Sequence, residues 1–255
     1  MARAVVPAPT ASRKTAMRES PGIACFRRSS RFSLSSTLSH DVPVTLPPGF
    51  ARLATKPCST ASSTAPTKYS GPVGFLYVLS GAIAVQTDAG QRSLQPDDAF
   101  LVTAGSTHSL NASGSQPVQF LHFVLARSSE LDRPAEQPPA VVSELYRTSR
   151  AIPDLKPGRY EFTLTRVSYP RMDPNPPHYR SGAALYYVRS GSGTFIAEGK
   201  TETKEMGTPH FEPHGWVHQW AKSGDAPLVL LQANISEEGV PAVIMRQPPP
   251  SGPGR

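Results

Sequence analysis

Thiols are scarce in this sequence: Cys25 and Cys58 are its two cysteines, and neither stands in a C-x-x-C pair. A disulfide framework or a thiolate zinc knuckle therefore has no support. No run of about 18 consecutive apolar residues occurs, so no segment reads as a transmembrane helix. Aromatic residues make up 8% of the chain and hydrophobic residues 38%, enough for packed cores. A G-x-S-x-G elbow, a phosphate loop and a dinucleotide fingerprint are all missing.

Acidic residues are nearly absent from one end. Residues 1–40 hold seven basic side chains (Arg3, Arg13, Lys14, Arg18, Arg27, Arg28, Arg31) against Glu19. The rest of the chain has 19 basic and 18 acidic residues, so the formal charge of +7 belongs almost wholly to this extension. The remainder carries no basic footprint for nucleic acid. An Arg-, Ser- and Ala-rich, acid-poor extension has the composition of an organelle transit peptide. Its apolar stretches, Ala4–Val6 and Ile23–Phe26, are too short for a secretory signal. The expectation is a disordered extension over 1–40 and a plastid or mitochondrial address, or a cytoplasmic protein if the segment is not a transit peptide.

Proline, by contrast, is plentiful at 28 residues, which disfavours long helices and suits short strands joined by turns. The strands repeat. Phe75-Leu76-Tyr77-Val78-Leu79-Ser80-Gly81 matches Leu185-Tyr186-Tyr187-Val188-Arg189-Ser190-Gly191 at an offset of 110. The same offset carries Gly105 to Gly215, His108 to His218, Leu121 to Leu231, Leu125 to Ile235 and Phe50 to Tyr160. Each copy reads as alternating strands punctuated by Gly, Pro and Asp turns, with a hairpin at Gly191-Ser192-Gly193. The fold class expected is all-β: two tandem jelly-roll barrels, over 45–127 and 155–240. A Pro-rich linker over 128–154 joins them, and 241–255 reads as a disordered Pro-rich tail.

At the residues that carry its motifs, the chain resembles the cupin superfamily. Gly207, Pro213, Gly215 and His218 match the second cupin motif, with Lys222 at its final Asn. Counting back from Gly191 puts His178, Arg180 and Ala184 at the two histidines and the glutamate of the first motif. In the first copy Lys68, Ser70 and Gly74 take those places; His108 remains of the second motif, with Asp97 and Thr103 at its Gly and Pro. Two copies resemble a bicupin, and Phe75–Gly81 is similar to the first-copy strand of ureidoglycine aminohydrolases. Some dioxygenases and the seed storage globulins share that layout.

What the resemblance implies for chemistry divides. In cupins, N/O ligands converge inside the barrel on a divalent metal such as Mn, Fe, Ni or Zn. In the second copy His178 and His218 are the candidate metal ligands; in the first copy, where Leu76 and His108 join the three motif places, no metal is expected. By alternation along strands, His178, Arg180, Tyr186, His218 and Trp220 form the candidate ligand pocket. Glu198, Glu212 and His210 are further groups whose direction the sequence does not give. Arg180 stands where a metal ligand belongs, and a guanidinium has no lone pair to donate. It favours a carboxylate or phosphate instead. The helical spacing of His210, His214 and His218 is not a helix, because Pro213 and Gly215 interrupt it.

Three functions stay open. The chain binds a small polar or anionic molecule in the second barrel; or it is a metal-dependent bicupin enzyme on a small polar metabolite, like an aminohydrolase or a dioxygenase; or it is a structural, storage-like assembly. A small-molecule ligand is the expected partner, with self-association into a homo-oligomer as the other partnership and neither nucleic acid nor membrane expected.

Overall fold

The computed structural model describes residues 42–46, 50–60, 62–69, 73–127, 136–148, 152 and 155–246. The expected extension over 1–40, including Cys25, and the last residues of the tail lie outside them. Twenty strands follow in order: β1 (Val42–Leu46), β2 (Phe50–Thr60), β3 (Thr67–Lys68), β4 (Val73–Ser80), β5 (Ala82–Thr87), β6 (Gly90–Leu94), β7 (Ala99–Thr103), β8 (Thr107–Ser113), β9 (Val118–Arg127), β10 (Val141–Val142), β11 (Tyr146–Arg147), β12 (Gly158–Tyr169), β13 (His178–Arg180), β14 (Ala183–Ser190), β15 (Ser192–Ala197), β16 (Lys200–Glu205), β17 (Pro209–Glu212), β18 (His218–Lys222), β19 (Leu228–Glu237) and β20 (Val243–Met245). No helix among the described residues is long and apolar enough to cross a membrane.

The strands form two jelly-roll barrels of two sheets each. The first barrel closes β10-β2-β9-β4-β7 over β3-β8-β5-β6; the second closes β1-β12-β19-β14-β17 over β16-β15-β18-β13-β20. The offset of 110 holds in the register. Val73 faces Leu125 as Ala183 faces Ile235, and both ladders carry a bulge, at Val78/Ser80 and at Val188/Ser190. Val78 and Val188 sit at equivalent places on β4 and β14.

Alternation explains why Phe75–Val78 and Ala183–Val188 are continuously apolar. Val73, Phe75 and Tyr77 pack with Ala183, Leu185 and Tyr187 in a core between the barrels, where the Phe75 and Phe162 rings lie 5.3 Å apart. The next residues along each strand turn into a lumen: Leu76 and Val78 into the first, Ala184, Tyr186 and Val188 into the second. A strand buried on both faces has no solvent side to keep polar. The barrels are also pinned by Asp97. Its Oδ1 accepts from Tyr77 Oη (2.8 Å) and from Arg189 Nε (2.9 Å), while Arg189 Nη2 donates to the carbonyl of its repeat mate, Leu79 (3.1 Å).

Two expectations need correction. The stretch over 128–154 is not a free connection in its described part. β10 and β11 pair with β2, Glu136 is buried, and Ile152 lies in the inter-barrel core. Reciprocally, β1 pairs with β12 of the second barrel. Each barrel thus covers a sheet edge of the other, which removes an unpaired edge. The tail over 241–255 likewise begins with a strand: β20 pairs with β13.

The hairpin glycine expected at 191 has φ +70°, and a Cβ there would lie 2.5 Å from the Pro227 carbonyl oxygen. Gly199 has a similar φ of +72° with open space around it. A left-handed residue bearing a Cβ costs about 1–2 kcal/mol. Gly199→Ala is expected to lose that much in chemical denaturation, and Gly191→Ala measurably more, because a backbone contact is added to the same φ penalty.

Candidate functional site

The second lumen gathers all five residues expected there. β13 and β18 are antiparallel, with His178 paired to His218. Side chains two apart share a face, so Arg180 follows His178 and Trp220 follows His218 into the barrel. All five side chains are buried. The His178 and His218 rings lie 4.3 Å apart, Tyr186 stacks on Trp220 at 5.7 Å, and the Arg180 guanidinium carbon stands 5.3 Å from the Tyr186 ring centre.

The central group is one whose direction the sequence left open. Glu212, on β17 opposite Ala184, is wholly buried. Its Oε2 accepts from Arg180 Nε at 2.9 Å and its Oε1 from Trp220 Nε1 at 2.8 Å. His218 Nε2 also lies 2.9 Å from Oε2, off the line of a hydrogen bond. Burial works against a charged Glu212, but Arg180 and His218 outweigh it and hold the carboxyl down at about 2. His210, two residues before, packs on Phe195 at 4.2 Å. The signal for both was period two on a short strand, which needed its phase against Ala184. Glu198 does not enter: it is exposed and accepts from Trp216 Nε1 at 3.1 Å. His214 is exposed in the turn, its Nδ1 donating to Ser181 O at 2.8 Å.

The lumen holds a set of unspent polar atoms. Arg180 Nη1, Tyr186 Oη, His210 Nε2 and His218 Nε2 are buried without a hydrogen-bond partner among the described residues. His178 and His218 donate Nδ1–H to the carbonyls of Pro176 (3.0 Å) and Trp216 (2.8 Å), which turns the Nε2 of His218 towards Glu212 Oε2. A cleft of about 500 Å3 is lined by Ile196, Ala197, Trp216, His218, Gln219 and Arg246 among others, so His218 borders it as well as the lumen.

As a metal centre the second lumen fits in part. Two histidines anchored through Nδ1 are the usual arrangement of imidazole ligands. The carboxylate beside them is already engaged by Arg180 and Trp220, and a fixed guanidinium repels a cation. Among the described residues, no three His, Cys, Asp or Glu side chains are placed to hold a metal ion.

The first lumen differs from its expected contents. Thr67, not Lys68, pairs with His108, and Lys68 is exposed. A one-residue slip moves a strand's side chains to the other face, and here it keeps an ammonium out of the core. Tyr69 therefore stands where Arg180 stands in the second barrel: Gly105 N donates to Tyr69 O as Gly215 N donates to Arg180 O. Ser70 lies outside the described residues. At Gly74 a Cβ would fall 2.8 Å from Tyr69 Oη and 2.9 Å from His122 Nε2, so no glutamate fits that place. Nor is His108 alone. His122 and Glu136 join it, both buried. His122 was legible from alternation on β9, whereas Glu136 arrives from a stretch without periodicity.

Comparison with known proteins agrees with this architecture. Residues 63–124 match the family model Cupin_2, described as a cupin domain. The oxalate decarboxylase of Bacillus subtilis, in a structure concerned with its Mn(II) centres, is 13% identical, with 81% of this chain and 77% of that chain covered and a TM-score of 0.52. AerE from Microcystis aeruginosa is 18% identical over 78% of this chain and 99% of its own, at 0.51. The Lactobacillus farciminis oxalate decarboxylase in its formate complex is 14% identical over 84% and 86%, at 0.52. No curated protein sequence matches the chain. Fold and family model agree: residues 63–124 are a cupin domain, and the described chain has the fold of these two-barrel structures.

The buried groups fix how stability depends on pH. Burial lowers His178 and His210 from 6.5 to about 4, so both are neutral in the folded chain. The unfolded chain protonates them first, so stability falls as pH drops from 6.5 towards 4. Glu212, depressed from 4.5 to about 2, contributes fully above 4.5 and is lost below it. Melting curves should fall in two stages on acidification, and His210→Phe should flatten the first.

Proposed function

We propose that the second barrel binds a small polar molecule with an anionic group. One observation carries the reading: Arg180, 2% exposed, keeps Nη1 unpaired in the lumen over the Tyr186 ring, and Tyr186 Oη and His210 Nε2 are likewise buried without partners. A buried donor left unsatisfied costs about 1–3 kcal/mol. Several in one lumen point to an occupant that brings acceptors. The Arg180–Glu212 pair is neutral as a unit, and the histidines at 178 and 210 are neutral near pH 7, so an anion meets no net negative charge among them. A carboxylate matches a guanidinium edge and neighbouring hydroxyl and imidazole groups.

The probes are oxalate and formate, carboxylates that bear on two of the similar structures. The expected result is a rise in melting temperature beyond that given by chloride at equal ionic strength. Arg180→Gln with Glu212→Gln removes both charges together and strands neither, whereas either single change leaves a buried charge unpaired at about 3–5 kcal/mol. The rise should vanish in the double variant. A rise that survives there sinks the reading.

A second reading, a metal-dependent enzyme acting on a small metabolite, is favoured by the Nδ1-anchored pair His178 and His218. Elemental analysis after loading with Mn, Fe, Ni or Zn decides it. About one equivalent, lost in His178→Ala, supports a site; metal far below one equivalent removes it. The likeness to the decarboxylases supports a shared fold, and at this identity it carries no substrate.

A further inference from the structure

His108 and His218 are repeat mates, and each faces a glutamate that the other barrel does not have at that place. In the second barrel the carboxylate is Glu212, built into wall strand β17 and locked by Arg180 and Trp220. The repeat mate of Glu212 is Val102, which packs in the first core. The first lumen receives its carboxylate from outside the wall. Glu136 lies beyond the end of β9 and in none of the strands, yet it is 2% exposed. Its oxygens stand 3.3 and 3.2 Å from His108 Nε2, and Oε1 stands 3.3 Å from His122 Nδ1.

Two imidazoles closing on a carboxylate make an anion site. His108 Nδ1 and both nitrogens of His122 are buried without hydrogen-bond partners, so His122 meets Glu136 Oε1 as a close contact rather than a formed hydrogen bond. Among the described residues, no arginine or tryptophan locks Glu136 as they lock Glu212. Burial opposes its charge, and hydrogen bonding to His108 and proximity to His122 overcome that to lower its pKa. The carboxylate is thus held as a ligand would be, with the chain serving as its tether.

We propose that the lumen of the first barrel is a binding site for a small monocarboxylate, formed by His108 and His122 and filled in cis by Glu136. The site accepts a free carboxylate of the same size when that side chain is withdrawn. It does not depend on the reading of the second barrel.

Chemical rescue tests it. In the full chain, Glu136→Ala should lower the melting temperature, and sodium formate or acetate should restore several degrees more than sodium chloride at equal ionic strength. That gain should exceed the response of the unaltered chain, which reports the second barrel. It should disappear in Glu136→Ala/His108→Phe and be absent in Glu136→Gln, whose amide still fills the space. If Glu136→Ala does not fold in chloride, refolding in formate should give soluble protein. Formate that does no better than chloride in melting and refolding overturns the proposal, as does an equal gain in the variant lacking His108.

Discussion

Everything in this molecule leans on two strands, β4 and β14, that have no solvent side. One face of each lines a lumen and the other closes the core between the barrels. Apolar burial contributes roughly 25 cal/mol per Å2, so a strand that buries both faces contributes twice over. The same arrangement makes register unforgiving. A slip of one residue would exchange Tyr186 for Leu185 in the lumen and lose its stacking on Trp220. The paired bulges and the swapped strands β1, β10 and β11 hold that register from outside.

Among the described residues, each lumen contains one buried carboxylate, and the two are charge-balanced differently. A lone buried carboxylate is expensive, and pairing with a cation repays the expense when geometry is good and every oxygen is bonded. Glu212 meets both conditions through Arg180 and Trp220. Glu136 relies on two imidazoles, whose charge is not fixed. The consequence is a difference in permanence. Glu212 is as rigid as the strand that bears it, whereas Glu136 hangs from a stretch outside the strands.

Most of the fold was legible because repetition doubles a weak signal. Either half-motif is short, but one offset tying Gly81, Gly105, His108 and Leu121 to their mates fixed the register of most strands in advance. Where the offset broke, the reading broke with it. Between β3 and β4 the true correspondence runs one residue longer, so that Tyr69 rather than Ser70 answers to Arg180. No gap in the sequence marks the slip; the reason is that Lys68 must face water. β16, written Lys-Thr-Glu-Thr-Lys-Glu, is largely exposed and carries no apolar alternation by which it could be read as a strand. In the second lumen, alternation brought five residues together correctly, but their charge partner sat across a strand pair whose phase only the structure supplies.

That partner changes what the degenerate motif means. Judged by position, the second barrel has lost its carboxylate, since Ala184 stands in the glutamate's place. Judged by space, a carboxylate is still there: Glu212 is the residue paired with Ala184 across β14 and β17. The small side chain at 184 leaves that region to Glu212 and the Trp220 that donates to it, just as Gly74 leaves room for Tyr69 and His122 in the first barrel. The second lumen thus keeps a polar interior in which the Arg180 guanidinium is balanced by Glu212, the charge arrangement on which the proposed anion site rests.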